Sequence, residues 1–141
     1  MQPSVLHECT RFAFESRMTF PETVMRLIAD GVERYRADLV RLEKTYYAPD
    51  GQTHIERMPL ADGPTIAEHF SMSGVKDALM AIQTRNIDYP EFLRQIMAAG
   101  TTSYSVFLLG KKAIYTGRQG DFHVEHFPGS KPPATAAAAT Q

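Results

Sequence analysis

The stretch THIERMP, at residues 53–59, recurs 69 positions later as FHVEHFP, at residues 122–128. Both copies keep the frame His-x-Glu-x-x-Pro, in which the histidine and the glutamate are two residues apart. Side chains at that spacing point to the same side of a β-strand. The recurrence indicates that a unit of structure was copied, and the flanking residues show how large that unit is.

The match continues without a gap over residues 20–59 and 89–128. Eleven of these 40 aligned positions are identical, where unrelated sequences of ordinary composition would share about two or three. Glycines, prolines and tyrosines dominate the identities, among them Pro21/Pro90, Gly31/Gly100, Tyr35/Tyr104, Tyr46/Tyr115 and Gly51/Gly120. We therefore predict a tandem duplication, with repeats at about residues 4–60 and 73–128. Two copies are too few for a solenoid, so a pseudo-twofold axis is the expected relation between them.

Each copy predicts the same order of elements. Thr19 and Asp88 stand three residues before a glutamate, which is the capping-box pattern of a helix start. Gly31 and Gly100 follow the apolar periodicity at the place where a left-handed helix end is expected. The period then changes to two, which predicts three strands. The predicted fold class is α+β, an internal duplication of a helix-helix-strand-strand-strand unit with an antiparallel sheet and helices packed on one face.

Two further segments carry predictions of their own. Thr65 stands three residues before Glu68 in the connector between the copies, and this spacing predicts a short helix that extends to Phe70. The last residues, 129–141, are small, contain proline and lack large apolar side chains, so they predict a disordered tail. Residues 1–128 then form a single domain.

Composition excludes several classes of protein. The 141 residues carry 15 basic and 16 acidic side chains, and a formal charge of −1 does not indicate a protein that binds nucleic acid through bulk charge. The single cysteine, Cys9, cannot form an intramolecular disulfide, which favours the reducing cytoplasm. No apolar run approaches the roughly 20 residues of a membrane span, and the first residues lack a signal-peptide core. No cofactor is expected.

The duplicated His-x-Glu pairs, His54 with Glu56 and His123 with Glu125, are the candidate metal or acid–base residues. If the twofold axis brought them together, two imidazoles and two carboxylates would suit zinc, manganese or iron. A histidine beside a glutamate also suits proton transfer. The simpler interpretation, which we favour, places both pairs on the solvent face of an antiparallel strand. Their recurrence then reflects common descent or a cross-strand His–Glu contact that fixes the register.

The repeated tyrosines form a second candidate set, a ligand pocket lined by Tyr35, Tyr104, Tyr46 and Tyr115. A phenol offers a broad apolar wall with one polar tip. Strand tyrosines more often fill the edge of a core, and this is the interpretation that we favour.

Basic residues cluster in the first copy, at Arg34, Arg36, Arg41 and Lys44, and in the second copy, at Lys111 and Lys112. A basic sheet face with tyrosines would suit nucleic acid. The interleaved acidic residues, Glu33, Asp38 and Glu43, favour a solvated mixed-charge surface instead. Nucleic acid is therefore not the expected partner.

Four short stretches carry a resemblance to a known family. They are FPE at 20–22, GVERY at 31–35, EKTYY at 43–47 and PDG at 49–51. Together they resemble a group of small bacterial proteins of about this length, catalogued as a domain of unknown function and labelled "phage envelope protein". The resemblance covers about residues 4–128. It implies no activity, cofactor or catalytic residue.

The sequence favours a non-enzymatic binding or interaction module over an enzyme. We expect a small cytoplasmic protein of phage-related origin that forms a homodimer, because edge strands invite pairing with a second copy. The alternative is a metal-dependent or acid–base enzyme that uses the duplicated His-x-Glu pairs. No small-molecule ligand can be named from the sequence.

Overall fold

The structure, a computed structural model, describes residues 1–130 and contains four helices and six strands within them. The first repeat comprises α1 (Pro3–Phe14), α2 (Phe20–Ala29), β1 (Arg34–Asp38), β2 (Glu43–Tyr47) and β3 (Thr53–Arg57). The second comprises α3 (Met72–Gln83), α4 (Tyr89–Ala98), β4 (Thr101–Phe107), β5 (Lys112–Gly117) and β6 (Phe122–His126). The predicted fold class is confirmed.

An offset of 69 residues carries the helices of the first repeat onto those of the second, residue for residue. It carries β3 onto β6 in the same way. The duplication therefore reaches back to the start of α1, beyond the part that identities alone reveal.

Both predicted helix starts are confirmed. Thr19 accepts a hydrogen bond from the Glu22 amide and its own amide donates to the Glu22 carboxylate, which completes a capping box. Asp88 accepts from the Glu91 amide at the start of α4. Each of these helices is followed by a glycine with positive φ, 86° at Gly31 and 92° at Gly100. The glycines let the chain turn from the helix into the strand.

All six strands lie in one antiparallel sheet with the order β3-β2-β1-β4-β5-β6. The two repeats meet at β1 and β4, where Tyr35 pairs with Val106 and Ala37 pairs with Tyr104. Val106 is the counterpart of Ala37, and Tyr104 is the counterpart of Tyr35. The pairing is therefore symmetric, and the pseudo-twofold axis passes through the centre of the sheet.

The predicted short helix at residues 65–70 is wrong. The backbone of this segment forms hydrogen bonds to another part of the chain. The Ala67 amide donates to the Met97 carbonyl, and the Ser71 amide donates to the Ala99 carbonyl. These bonds hold the backbone beside the end of α4. The helix begins later, where the Ser71 side chain accepts from the Gly74 amide and caps α3.

The helices pack on one side of the sheet, and no element within residues 1–130 covers the other side. The helix-facing side carries the buried core, to which the sheet contributes Ala37, Tyr46, Tyr104, Val106 and Tyr115. Among residues 1–130, no helix is long and apolar enough to cross a membrane.

The domain boundary at 128 stays a prediction. Of the predicted tail, 129–141, only Gly129 and Ser130 are among the described residues.

Candidate functional site

The His54–Glu56 pair lies on the helix-facing side of β3. His54 Nε2 is 2.5 Å from Glu56 Oε2, and the two side chains are only 25% and 13% exposed. Ile55 between them is 57% exposed on the uncovered side. The expectation that this pair lies on the solvent face is therefore wrong, and the apolar residue is the one that faces solvent.

A second imidazole joins this pair from α1. His7 Nδ1 lies 2.8 Å from Glu56 Oε1, so each oxygen of one carboxylate meets a different histidine. Sequence reasoning missed His7, because the repeat offers no guide to it: its counterpart in α3 is Lys76. The available signal was its place beside Leu6, on the rim of the buried face of α1.

The second His-x-Glu pair has a different environment. His123 Nε2 is 3.0 Å from Glu125 Oε1, and the Gln83 amide donates to Glu125 Oε2 over 3.2 Å. This pair also lies on the helix-facing side, so the same correction applies to it. An amide from α3 thus contacts the carboxylate here, where the first repeat uses an imidazole from α1.

The two pairs do not come together. β3 and β6 are the opposite edges of the sheet, five strand spacings apart, or about 24 Å. No cluster of three or more histidine, cysteine, aspartate or glutamate side chains within residues 1–130 is arranged to hold a metal ion. The sheet order therefore gives each pair its own surroundings, and a metal or acid–base role at either pair stays a prediction.

Two shallow clefts flank the contact between α1 and β3. One, of about 190 Å³, is lined by Met1, Pro3, Leu6, Gln52, Thr53 and His54. The other, of about 180 Å³, is lined by His7, Thr10, Arg11, Glu56, Arg57 and Pro59. Both are smaller than typical ligand pockets of 300 Å³ or more.

The four repeated tyrosines lie in the core. Tyr104 stacks on Tyr115 with ring centroids 5.0 Å apart, and Tyr35 lies 5.5 Å from Tyr46. Each is at most 5% exposed, and burial raises the pKa of all four phenols. None of them lines either of the two clefts. Their packing supports the core interpretation.

Hydroxyl groups connect this core to the α1–β3 contact. The Thr10 hydroxyl donates to the Leu6 carbonyl over 2.9 Å, which uses its single hydrogen. The Tyr46 hydroxyl, 2.8 Å away, is therefore the donor to Thr10. A second bond joins the hydroxyls of Tyr89 and Tyr104.

Lys44 is the residue that sequence reasoning misplaced most clearly. The sequence predicts it to lie on a solvated mixed-charge surface, yet it is buried with 5% exposure among the tyrosines. Its Nζ lies 5.1 Å from the ring centroid of Tyr35 and 4.9 Å from that of Tyr89. Desolvation lowers its pKa to about 8. The rings supply the cation–π contact that partly offsets this burial.

Glu56 stands opposite Lys44 on the neighbouring strand but does not pair with it. The register places the two residues across from each other, while both carboxylate oxygens of Glu56 are engaged by histidines. Among the described residues, no carboxylate lies within 4 Å of Lys44 Nζ. The buried ammonium of Lys44 therefore forms no ion pair with Glu56, the carboxylate directly opposite it in the sheet.

A family model described as "Protein of unknown function (DUF1398)" matches residues 12–125, from within α1 to within β6. The chain belongs to the DUF1398 family. This agrees with the expectation of an uncharacterised family. No curated protein matches the chain.

The DUF1398 match extends over both repeats. Membership brings no catalytic or ligand-binding residue to the site. What the site can do must follow from its geometry.

In this DUF1398 chain, the Glu56 carboxylate can accept one hydrogen bond from each imidazole. In that arrangement His54 Nε2 and His7 Nδ1 carry the hydrogens that bond to Glu56. The other ring nitrogens, His54 Nδ1 and His7 Nε2, are then the acceptors of the two neutral imidazoles. A carboxylate that orients a histidine is the usual support of a general base. Of the hydroxyl side chains, Thr10 and Thr53 line the adjoining clefts, and Thr10 is already bonded.

Proposed function

We propose that this DUF1398 protein is a cytoplasmic, non-enzymatic interaction module that forms a homodimer by pairing β6 with β6 of a second copy. The free, buried Cys9 supports a reducing compartment. Within residues 1–130 the outer edge of β6 has no partner strand. This edge carries the proposal, because its free backbone groups and its sequence suit an identical strand.

The direction of the backbone groups in β6 follows from two bonds to β5. The Gly117 amide donates to the Asp121 carbonyl, and the Phe127 amide donates to the Lys111 carbonyl. In an antiparallel ladder these bonds flank non-hydrogen-bonded pairs at Phe122 and His126. The amides and carbonyls of Phe122, Val124 and His126 therefore point away from β5, toward the free edge.

An antiparallel partner strand centred on Val124 would complete these groups with roughly six backbone hydrogen bonds. The same register places His123 opposite the partner's Glu125, and Phe122 opposite the partner's His126. His123 and the partner's Glu125 would form a non-hydrogen-bonded pair, in which side chains approach most closely. With Val124 at the centre of the pairing, the histidine of each His-x-Glu motif therefore faces the glutamate of the other copy.

The other edge, β3, shares this frame but is less suited to the dimer. α1 packs on β3 more extensively than α3 packs on β6. Two imidazoles hold Glu56, whereas Glu125 contacts one imidazole and the Gln83 amide.

The uncovered side of β3 carries the exposed cation Arg57, where β6 has His126. β6 instead presents Phe122, which is 58% exposed, beside Val124.

Sedimentation velocity and light scattering test the proposal. We expect a dimer of about twice 15.8 kDa at micromolar concentrations. Val124→Pro removes an outward amide without removing a bond to β5, and should yield a folded monomer. The matched control is Ile55→Pro, because the Ala48–Gln52 and Met58–Leu42 bonds show that the Ile55 amide also points outward. It should remain dimeric.

A wild-type monomer at 100-fold higher concentration would refute the proposal. So would a dimer that survives Val124→Pro and dissociates in Ile55→Pro, since that result assigns the interface to β3. Circular dichroism of both variants separates lost pairing from lost folding.

A further inference from the structure

The side of the sheet opposite the helices, here called the open face, has no covering element among residues 1–130. It is defined by Arg34, Arg36 and Asp38 of β1 together with the side chains in register with them on the other five strands. The face therefore spans the whole width of the sheet and joins both repeats.

Aromatic and cationic side chains alternate in one row of this face. The register places Tyr47, Arg34, Phe107 and Lys112 side by side on β2, β1, β4 and β5. Arg34 Cζ lies 3.9 Å from the ring centroid of Tyr47, so its guanidinium is already stacked. Tyr47 and Phe107 are half-buried and keep part of each ring accessible.

The carboxylates of the open face are already engaged. Asp38 accepts from the amides of Val40 and Arg41, both at 3.0 Å, and so closes the β1–β2 turn. Glu43 binds Arg41, which lies in that turn, at 2.9 Å. Of the acidic residues that argued against nucleic acid in the sequence, Asp38 and Glu43 are thus committed to the turn at one end of the strands. The third, Glu33, lies at the other end of β1, where its carboxylate is 3.8 Å from Arg34.

Three cations of the face have no such partner. Arg36, Arg57 and Lys112 have no carboxylate within 4 Å in the part of the chain that the structure describes. Arg36 lies at the centre of the sheet, beside Ser105, and is exposed. The open face is therefore locally positive although the chain as a whole carries −1.

We propose that the open face binds single-stranded nucleic acid. Unpaired cations attract phosphates, and accessible rings stack on unpaired bases whatever their sequence. The face is a sheet without an inserted helix or ribbon, so it offers nothing to enter the major groove of a duplex. An acidic peptide would satisfy the cations but would make no use of the row of rings. This inference goes beyond dimer formation and does not require it.

Fluorescence anisotropy with a labelled 15-nucleotide thymidine oligomer provides the test. We expect the logarithm of the association constant to fall with the logarithm of salt concentration at a slope of about −2 to −3, as three or four phosphates on a single strand give. Arg36→Ala should make the slope shallower by about 0.7. Tyr47→Leu keeps the apolar bulk and loses the aromatic face, and should weaken binding about tenfold. Lys76→Ala on α3 is the matched control, because it removes an exposed cation from the helical side.

Competitors decide between classes of partner. A duplex of the same sequence and a polyglutamate peptide of equal charge should both bind at least tenfold more weakly. Equal or tighter binding of the peptide would overturn the proposal in favour of an acidic protein partner. Absence of oligonucleotide binding at 50 mM salt, or equal losses in Arg36→Ala and Lys76→Ala, would also overturn it. Sedimentation velocity of the same wild-type sample shows whether failure belongs to this face or to the dimer.

Discussion

Arg36 and Ser105 face each other across the central strand pair, and each is the other's counterpart in the tandem repeat. A pair of equivalent positions can be in register only where a twofold axis passes between them. The axis therefore runs through this pair, and residues on either side exchange partners symmetrically. It also explains why the two His-x-Glu motifs, which lie in the last strand of each repeat, are as far apart as the sheet allows.

The glycines that end α2 and α4 provide a matched pair of substitutions. Both have positive φ, 86° at Gly31 and 92° at Gly100. A β-carbon at Gly31 meets nothing within 4 Å, whereas one at Gly100 lies 2.4 Å from the His69 carbonyl oxygen. We expect Gly31→Ala to lower the free energy of unfolding by about 1 kcal/mol, from backbone strain alone. Gly100→Ala should lower it by about 3 kcal/mol or more, measured by urea denaturation.

Equal losses at the two glycines would show that the segment at His69 moves away without cost. That result would contradict the close packing of the connector against the end of α4.

The buried Lys44 predicts an unusual dependence of stability on pH. Its pKa of about 8 in the folded protein lies below the 10.5 of an exposed lysine. Between these values the unfolded chain binds a proton that the folded chain lacks, so the free energy of unfolding rises with pH through this window. Below pH 8 the full cost of burial applies, about 3 kcal/mol before the cation–π contacts offset part of it. Lys44→Met should therefore stabilise the protein by about 2 kcal/mol at pH 7, and the gain should shrink toward pH 10.

The comparison between variants matters here, because burial raises the pKa of the core tyrosines and their ionisation in the unfolded chain opposes the trend near pH 10. Lys76→Met, an exposed site on α3, should change stability by less than about 0.5 kcal/mol at any pH. A gain in Lys44→Met that stays constant from pH 7 to 10 would refute the burial of a titrating ammonium.

Local rules predicted the elements well because each was specified by neighbouring residues. Thr19 with Glu22 and Asp88 with Glu91 start helices through contacts three residues apart, and Gly31 and Gly100 end them through backbone conformation. Because the two repeats align without a gap, each element predicted in one copy also predicts its counterpart in the other. The failed helix at 65–70 shows the limit of such rules, since bonds to α4 from distant parts of the chain decided that backbone.

The candidate site depended on contacts that no local pattern contains. The alternation in β3 correctly predicts that His54 and Glu56 share a side, but it cannot say which side the helices cover. At an edge strand the rim of the helical layer accepts polar groups, so the usual rule of apolar residues inside fails at Ile55. Lys44 left one trace that could have been used: its counterpart is Ala113, a small apolar residue that is also buried.

Thr101 supplies the last prediction. It is fully buried at the start of β4, and its hydroxyl is the one buried side-chain polar atom within residues 1–130 that lacks a hydrogen-bond partner. Its counterpart in the first repeat is Val32, which has nearly the same shape and is also buried. Thr101→Val should therefore raise the free energy of unfolding by about 1 kcal/mol, since it removes the desolvation cost of an unpaired hydroxyl. The neighbouring Thr102 donates to the Thr116 carbonyl over 3.0 Å, so Thr102→Val should lose about 1 kcal/mol in the same urea titration. Destabilisation by Thr101→Val would mean that the Thr101 hydroxyl has a hydrogen-bond partner in solution. Val32 would then no longer indicate that valine is the more stabilising residue at this position of the repeat.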